Sequence, residues 1–262
     1  MRLSAKPIKE ILKSEIEADK KLLSHSFFLC SDRDNRDSYY YLKGIKRVLT
    51  EFNLPFEEDF IDKNDVASSL NNFSKKASSS YTILARPLGV KEEEAFIDKI
   101  NPKFDPDMMT SYNLGKLLKG DIDYLPATIQ SVKRFIKYYS LNIASKKALI
   151  IGRSLTVGLP LSLLLNKLNA TITIAHSKTE RSYLKSLLKE CDILALASGK
   201  DDIVMASDLH SGETVIDCGY HNGHGDLAFS PSDDVTFTPV PDGIGALTSY
   251  CLLLNAITLA KN

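Results

Sequence analysis

The chain has 262 residues, 44% of them hydrophobic, and its 33 basic residues balance 33 acidic ones. That balance excludes a strong overall field for nucleic acid or an anionic membrane, so a small-molecule partner is expected. The apolar share suits one large or two modest globular domains.

Cys30, Cys191, Cys218 and Cys251 lie far apart with no C-x-x-C pair. This fits neither a zinc knuckle nor a disulfide framework, so reduced, buried thiols and no metal site are expected. The first two dozen residues carry charges every few positions, and their four acidic residues argue against a mitochondrial presequence. They also lack the apolar run of a secretory signal, and no later run approaches the roughly 20 apolar residues of a membrane span. A cytoplasmic protein is expected.

In chain order, strands are predicted at 26–31 (SFFLCS), 56–61 (FEEDFI) and 81–86 (YTILAR). Helices are predicted at 37–53, 65–77 and 91–100, and 121–141 reads as a turn leading into a long helix. The second half alternates more clearly, with strands at 147–152, 170–175, 192–197 and 214–219 and helices at 158–168 and 180–190. A polar, glycine-punctuated excursion follows, then VTFTPVP at 235–241 and a last helix at 246–260. Strands alternating with helices predict an α/β fold with parallel sheets, the second half being Rossmann-like. A domain border is expected near residue 118, with no proline- or serine-rich linker to mark it.

The strand at 147–152 runs into GRSLTVGLP, where Gly152 and Gly158 suit a phosphate-binding turn, although their spacing is longer than in G-x-G-x-x-G. The next strand ends in His176, Ser177, Lys178 and Thr179, with no acidic residue to hold a ribose 2′-hydroxyl. With Arg153 these residues form an anion site suited to the 2′-phosphate of NADP, since guanidinium donors match phosphate oxygens. The plainer alternative is that Arg153 is a solvated loop charge and HSKT a helix cap.

GRSLTVGLP, HSKT, VIDCG and TPVPDGIGALT resemble, in order and spacing, the bifunctional methylenetetrahydrofolate dehydrogenase/methenyltetrahydrofolate cyclohydrolases. The resemblance implies a two-domain fold with an interdomain cleft. An amino-terminal α/β folate-binding domain (1–118, completed by helix 246–262) would face a Rossmann-like NADP-binding domain (119–245). It further implies that Gly152, Arg153, Ser154, Gly158, Ser177, Gly219, Tyr220, Gly243 and Gly245 approach NADP, that Thr128 lies near the nicotinamide, and that the protein is a homodimer in one-carbon metabolism. Tetrahydrofolate one-carbon derivatives would be the substrates.

The family's folate motifs are Y-x-x-x-K-x-K, a glutamine in V-Q-L-P-L-P, and D-V-D-G. Tyr39 and Lys43, four apart on a helix, would supply the stacking ring and the hydrolytic base, and Asp107 the pterin-binding carboxylate. By itself YYYLK reads as an aromatic helix face packed on a sheet, and Asp107 as a turn residue. The sequence departs from the family at Ile45, at Ala85 or Arg86 in place of the glutamine, and at Met108, Ala127, Asp242 and Ala246. Arg86 is expected near Lys43, where a second cation would lower the lysine's pKa. His221 and His224 lack a third metal ligand and read as a solvated loop. A shikimate-dehydrogenase-like oxidoreductase and a non-catalytic NADP-binding relative with a decayed folate pocket are the rival readings.

Overall fold

A computed structural model describes residues 1–220 and 223–261. The chain divides into two compact units, Leu12–Ala127 with Ser249–Asn262, and Met1–Ile11 with Thr128–Thr248. The borders fall inside the helices α1 (Lys6–Asp19), Ala127–Tyr138 and Gly245–Ala260, so no flexible linker exists for composition to reveal.

The first unit contains β1 (Phe27–Ser31), α2 (Arg36–Glu51), β2 (Phe56–Phe60), α3 (Val66–Ala77), β3 (Tyr81–Ala85), α4 (Glu93–Ile97) and α5 (Ser111–Leu118). Its three strands are parallel in the order β2-β1-β3, and Phe27 stands opposite both Phe56 and Tyr81. Every residue of β1 and β3 is buried, as expected of strands covered on both faces. Phe28, Cys30, Phe73, Leu84 and Phe96 share one core cluster. In α2 the Asn35 side chain caps the amino terminus by accepting from Ser38 N, and Leu42, Ile45, Val48 and Leu49 form its buried stripe. The predicted helix at 91–100 shrinks to the five residues of α4, while α1 and α5 were not anticipated. In α1 Leu12 and Ile16 recur four apart at 0% exposure, a helical stripe hidden among charges.

The second unit contains α6 (Ala127–Tyr138), β4 (Lys147–Ile151), α7 (Gly158–Lys167), β5 (Thr171–Ala175), α8 (Arg181–Glu190), β6 (Ile193–Leu196), β7 (Thr214–Asp217), β8 (Thr236–Phe237) and the first turn of α9 (Gly245–Ala260), whose remainder from Ser249 belongs to the first unit. Its five strands are all parallel, in the order β5-β4-β6-β7-β8. The chain therefore leaves β4 toward one edge and returns to its other side, a reversal of strand order that opens a crevice at the carboxyl ends. The first residues of the chain extend the edge, with Leu3 N donating to Phe237 O and Phe237 N to Met1 O, each at 2.9 Å. Leu149, Ile151, Leu188, Leu194 and Val215 anchor the core beneath. Among the described residues no helix is long and apolar enough to cross a membrane.

The carboxy-terminal turns of α9 carry Asn255, 1% exposed, whose amide donates to the carbonyls of Pro106 (2.8 Å) and Leu125 (2.7 Å). Truncation to Ala would leave two buried carbonyls unpaired. A loss of about 1–3 kcal/mol is predicted from urea unfolding midpoints, and an unchanged midpoint would contradict this tether.

Candidate active site

At the carboxyl ends of β4, β5 and β6 lies a cavity of about 470 Å³ lined by Gly152, Arg153, Ser154, His176, Ser177 and Thr179, with Arg181, Ser198 and Lys200 among the other residues. Arg153, Arg181 and Lys200 make no ion pair among the described residues, so three cations surround one concavity. Asp202 is the single acid on its wall. An excess of unpaired cations beside strand tips is the charge pattern an anionic ligand requires.

The cavity floor depends on missing side chains. Gly152 has φ +130°, and a Cβ there would stand 2.2 Å from the Ala197 carbonyl oxygen; one on Gly158 would stand 2.3 Å from the Gly152 carbonyl oxygen. The two glycines thus let the β4 tip touch the β6 tip and the start of α7. Ser154 Oγ accepts from Val157 N (3.1 Å) and Gly158 N (3.3 Å), capping α7. HSKT folds into its own turn, with His176 N bound to Thr179 Oγ at 2.9 Å and Lys178 N to His176 Nδ1 at 3.1 Å. That turn leaves Ser177 exposed on the cavity wall.

The structure brings Gly152, Arg153, Ser154 and Ser177 together, whereas Thr128, Gly158, Gly219, Tyr220, Gly243 and Gly245 do not line this cavity. Thr128 is half-buried in the first turn of α6, Tyr220 is 53% exposed, and Gly245 begins α9. Gly219 and Gly243 serve close backbone approach, since a Cβ would meet Asp226 Oδ1 at 1.9 Å and Pro239 O at 2.0 Å respectively. Sequence reading missed Arg181, Lys200 and the buried Asp226. Asp226 Oδ2 accepts from Ser198 N (2.6 Å), Ser198 Oγ (2.8 Å) and Gly199 N (3.1 Å), fixing the loop after β6. His221 lies outside the described residues, and His224 Nδ1 stands 3.9 Å from the Asp201 carboxylate.

In the other unit the loop 105–110 is organised by buried Asp105, which accepts from Met109 N (2.9 Å), Thr110 N (2.9 Å), Thr110 Oγ1 (2.7 Å) and Asn113 Nδ2 (2.9 Å). This holds Asp107 so that Oδ2 accepts from the Tyr41 hydroxyl at 2.8 Å and Oδ1 from Ala127 N at 3.3 Å. Burial pushes the Asp107 carboxyl up to about 6, outweighing those two hydrogen bonds, and pushes the Tyr41 hydroxyl well above its usual value.

Tyr39 and Lys43 do not meet Asp107. Both are exposed, and the Lys43 ammonium lies 5.9 Å from the Tyr39 ring centroid. The buried stripe of α2 sets this outcome: Ser38, Leu42 and Ile45 turn inward and carry Tyr41 with them, and the helical period puts Tyr39 and Lys43 on the solvent side. Four residues after Tyr41 comes Ile45, 0% exposed, so the face toward Asp107 carries no lysine. Arg86 does not accompany Lys43 either. Its guanidinium pairs with Glu93 and, at 3.2 Å, with Glu94.

A parallel sheet with a cationic crevice at its strand reversal, in a chain that carries a second α/β unit, defines a nucleotide-dependent enzyme class. The chain belongs to the tetrahydrofolate dehydrogenase/cyclohydrolase family, whose NAD(P)-binding domain matches residues 126–262. It is 32% identical to the bifunctional protein FolD of Clostridium tetani over 98% of this chain and 95% of that one. The solved structure of FolD methylenetetrahydrofolate dehydrogenase/cyclohydrolase from Campylobacter jejuni superposes with a TM-score of 0.86 at 25% identity, covering 100% of this chain and 99% of the other. A Trypanosoma brucei FolD structure, complexed with NADP cofactor and inhibitor, has the same fold, with a TM-score of 0.85 at 22% identity over 100% and 97% of the two chains.

Replacing Gly152 by Ala is predicted to weaken NADP(H) binding and lower the thermal midpoint together, because the added methyl cannot coexist with the Ala197 carbonyl. NADPH fluorescence titration and a melting curve check this; wild-type values in both would show that the β4 tip tolerates a side chain.

Proposed function

We propose that this chain oxidises 5,10-methylenetetrahydrofolate to 5,10-methenyltetrahydrofolate with NADP and hydrolyses the product to 10-formyltetrahydrofolate. The observation carrying the reading is the cavity ringed by Arg153, Arg181 and Lys200 at the β4 and β5 tips. Its size, its unpaired cations and the side-chain-free Gly152 suit a dinucleotide with an additional phosphate, whose guanidinium contacts are charge-assisted. When bound, NADP accepts the hydride from the one-carbon bridge of the folate. Arg153 and Ser177 would hold the 2′-phosphate, and Ser154 would keep the start of α7 shaped around the phosphates. Gly219, Tyr220, Gly243 and Gly245, with Thr128, would complete the cofactor surroundings as the family resemblance implies.

In the folate unit Asp107 would accept hydrogen bonds from the amino and ring N–H groups of the pterin, exchanging its bond from Tyr41 for them. Little acid-base help is needed for oxidation, because the folate nitrogens stabilise the methenyl cation and the protein supplies orientation. Hydrolysis adds water to that cation and releases a proton. With Lys43 beside Tyr39 in solvent and Asp107 committed to the pterin edge, that proton passes to solvent water. Full-length similarity to FolD proteins disfavours a shikimate-dehydrogenase-like reading. The functional setting we propose is a cytoplasmic homodimer supplying one-carbon units.

One observation favours a second reading, oxidation without hydrolysis. Ile45, at 0% exposure, places an apolar group where the family motif carries lysine, and neither Ala85 nor Arg86 supplies the motif's glutamine. Following NADPH and methenyl-folate absorbance together separates the readings. Formation of both activities supports the first, accumulation of methenyl-folate at the rate of NADPH formation supports the second, and NADP binding with no turnover contradicts both. Asp107→Asn is predicted to cut kcat/KM with folate, and the wild-type kcat/KM profile to fall below pH about 6 as Asp107 takes up its proton. Lys43→Met should leave both reactions unchanged; a selective loss of hydrolysis would restore Lys43 as the base.

A further inference from the structure

At the opposite, amino-terminal edge of the second unit's sheet, three donors of different chemistry converge. Cys191 lies two residues before β6 and Glu213 directly precedes β7, and the parallel pairing Ile193↔Thr214 holds these neighbouring strands in register. His210 sits three residues before Glu213, its backbone N donating to Glu213 Oε2 at 3.2 Å and its Nε2 lying 2.8 Å from the Cys191 carbonyl oxygen. The Cys191 Sγ donates to Glu213 Oε1 at 3.2 Å. The thiol, imidazole and carboxylate donor atoms all lie within 4.8 Å of one another.

Cys191 is 3% exposed and Glu213 0%, yet no lysine or arginine pairs with this carboxylate among the described residues. A buried carboxylate without a cation is costly, and a metal is the compact way to neutralise it. The geometry points to a site for a thiophilic divalent cation such as zinc, bound by Cys191 Sγ, His210 and Glu213 with water completing the shell. The charges close: a thiolate and a carboxylate balance a dication, and the thiol proton leaves to solvent. Metal–sulfur bonds of about 2.3 Å and metal–oxygen or metal–nitrogen bonds of about 2.0 Å put tetrahedral donors about 3.5 Å apart. The sulfur–oxygen separation already suits this. The imidazole, whose ring nitrogen lies within 4.8 Å of the other two donors, must move closer, exchanging its bond to the Cys191 carbonyl for the metal, and its place in the loop after residue 209 permits that. Since β6 and β7 separate the cluster from the crevice at their carboxyl ends, its role is structural and independent of the proposed catalysis.

The test is a titration of reduced, chelator-treated full-length protein with Co²⁺, with and without competing Zn²⁺. The expected result is a saturable thiolate-to-cobalt charge-transfer band at one equivalent, displaced by zinc, together with a zinc-dependent rise in thermal midpoint. Cys191→Ser should abolish the band and Cys218→Ser, at the half-exposed cysteine, should keep it. His210→Ala, a loop change that leaves the core intact, should weaken Co²⁺ binding at least ~10-fold, the lower end of what loss of a supporting metal-site group costs. No band at millimolar Co²⁺, a band that survives Cys191→Ser, or unchanged affinity in His210→Ala would overturn the site.

Discussion

The contact between the tips of β4 and β6 is the constraint on which the nucleotide site depends. Gly152, at φ +130°, passes so close to Ala197 that any side chain would collide with its carbonyl, and Gly158 closes equally tightly on Gly152. Because the strands are parallel and their order reverses at β4, that contact lies at the crevice where α/β sheets bind ligands. Arg153 follows directly after the glycine for this reason. Once the backbone has turned, Arg153 joins Ser177 and Arg181 in the cavity lining.

Two other loops, one in each unit, show a second way of meeting a backbone requirement. Met108 and Asp242 stand where the family resemblance places glycines, and both nonetheless adopt the left-handed conformation, with φ +54° and +78°. Such a residue costs roughly 1–2 kcal/mol relative to right-handed backbone. Each is compensated locally: Met108 is 1% exposed within the core, and the Asp242 carboxylate accepts from Ser4 Oγ at 3.0 Å. The departures from the motifs therefore change side chains while the chain path remains that of a glycine.

Much of this was legible in the sequence. The alternation of apolar strands and amphipathic helices gave the α/β class, and GRSLTVGLP with HSKT located the cavity that the sheet order later explains. What escaped has physical causes. Among Tyr39, Tyr40 and Tyr41 the spacing Y-x-x-x-K fits only Tyr39 with Lys43, whereas the buried stripe through Leu42, Ile45 and Leu49 leaves Tyr41 as the tyrosine that reaches Asp107. Arg181 reaches the cavity from the start of α8 and Lys200 from the loop after β6, and Cys191, His210 and Glu213 meet because β6 and β7 are neighbours. Convergence of that kind is set by topology, which linear spacing does not encode. The short α5 and the charge-rich α1 were hidden because their apolar stripes are narrow.

The most direct measurement is a crystal structure of the protein grown with NADP. The account predicts the 2′-phosphate within hydrogen-bonding distance of the Arg153 guanidinium and the Ser177 hydroxyl, above the tips of β4 and β5. A 2′-phosphate lying in solvent, or held by residues outside that cavity, would contradict it.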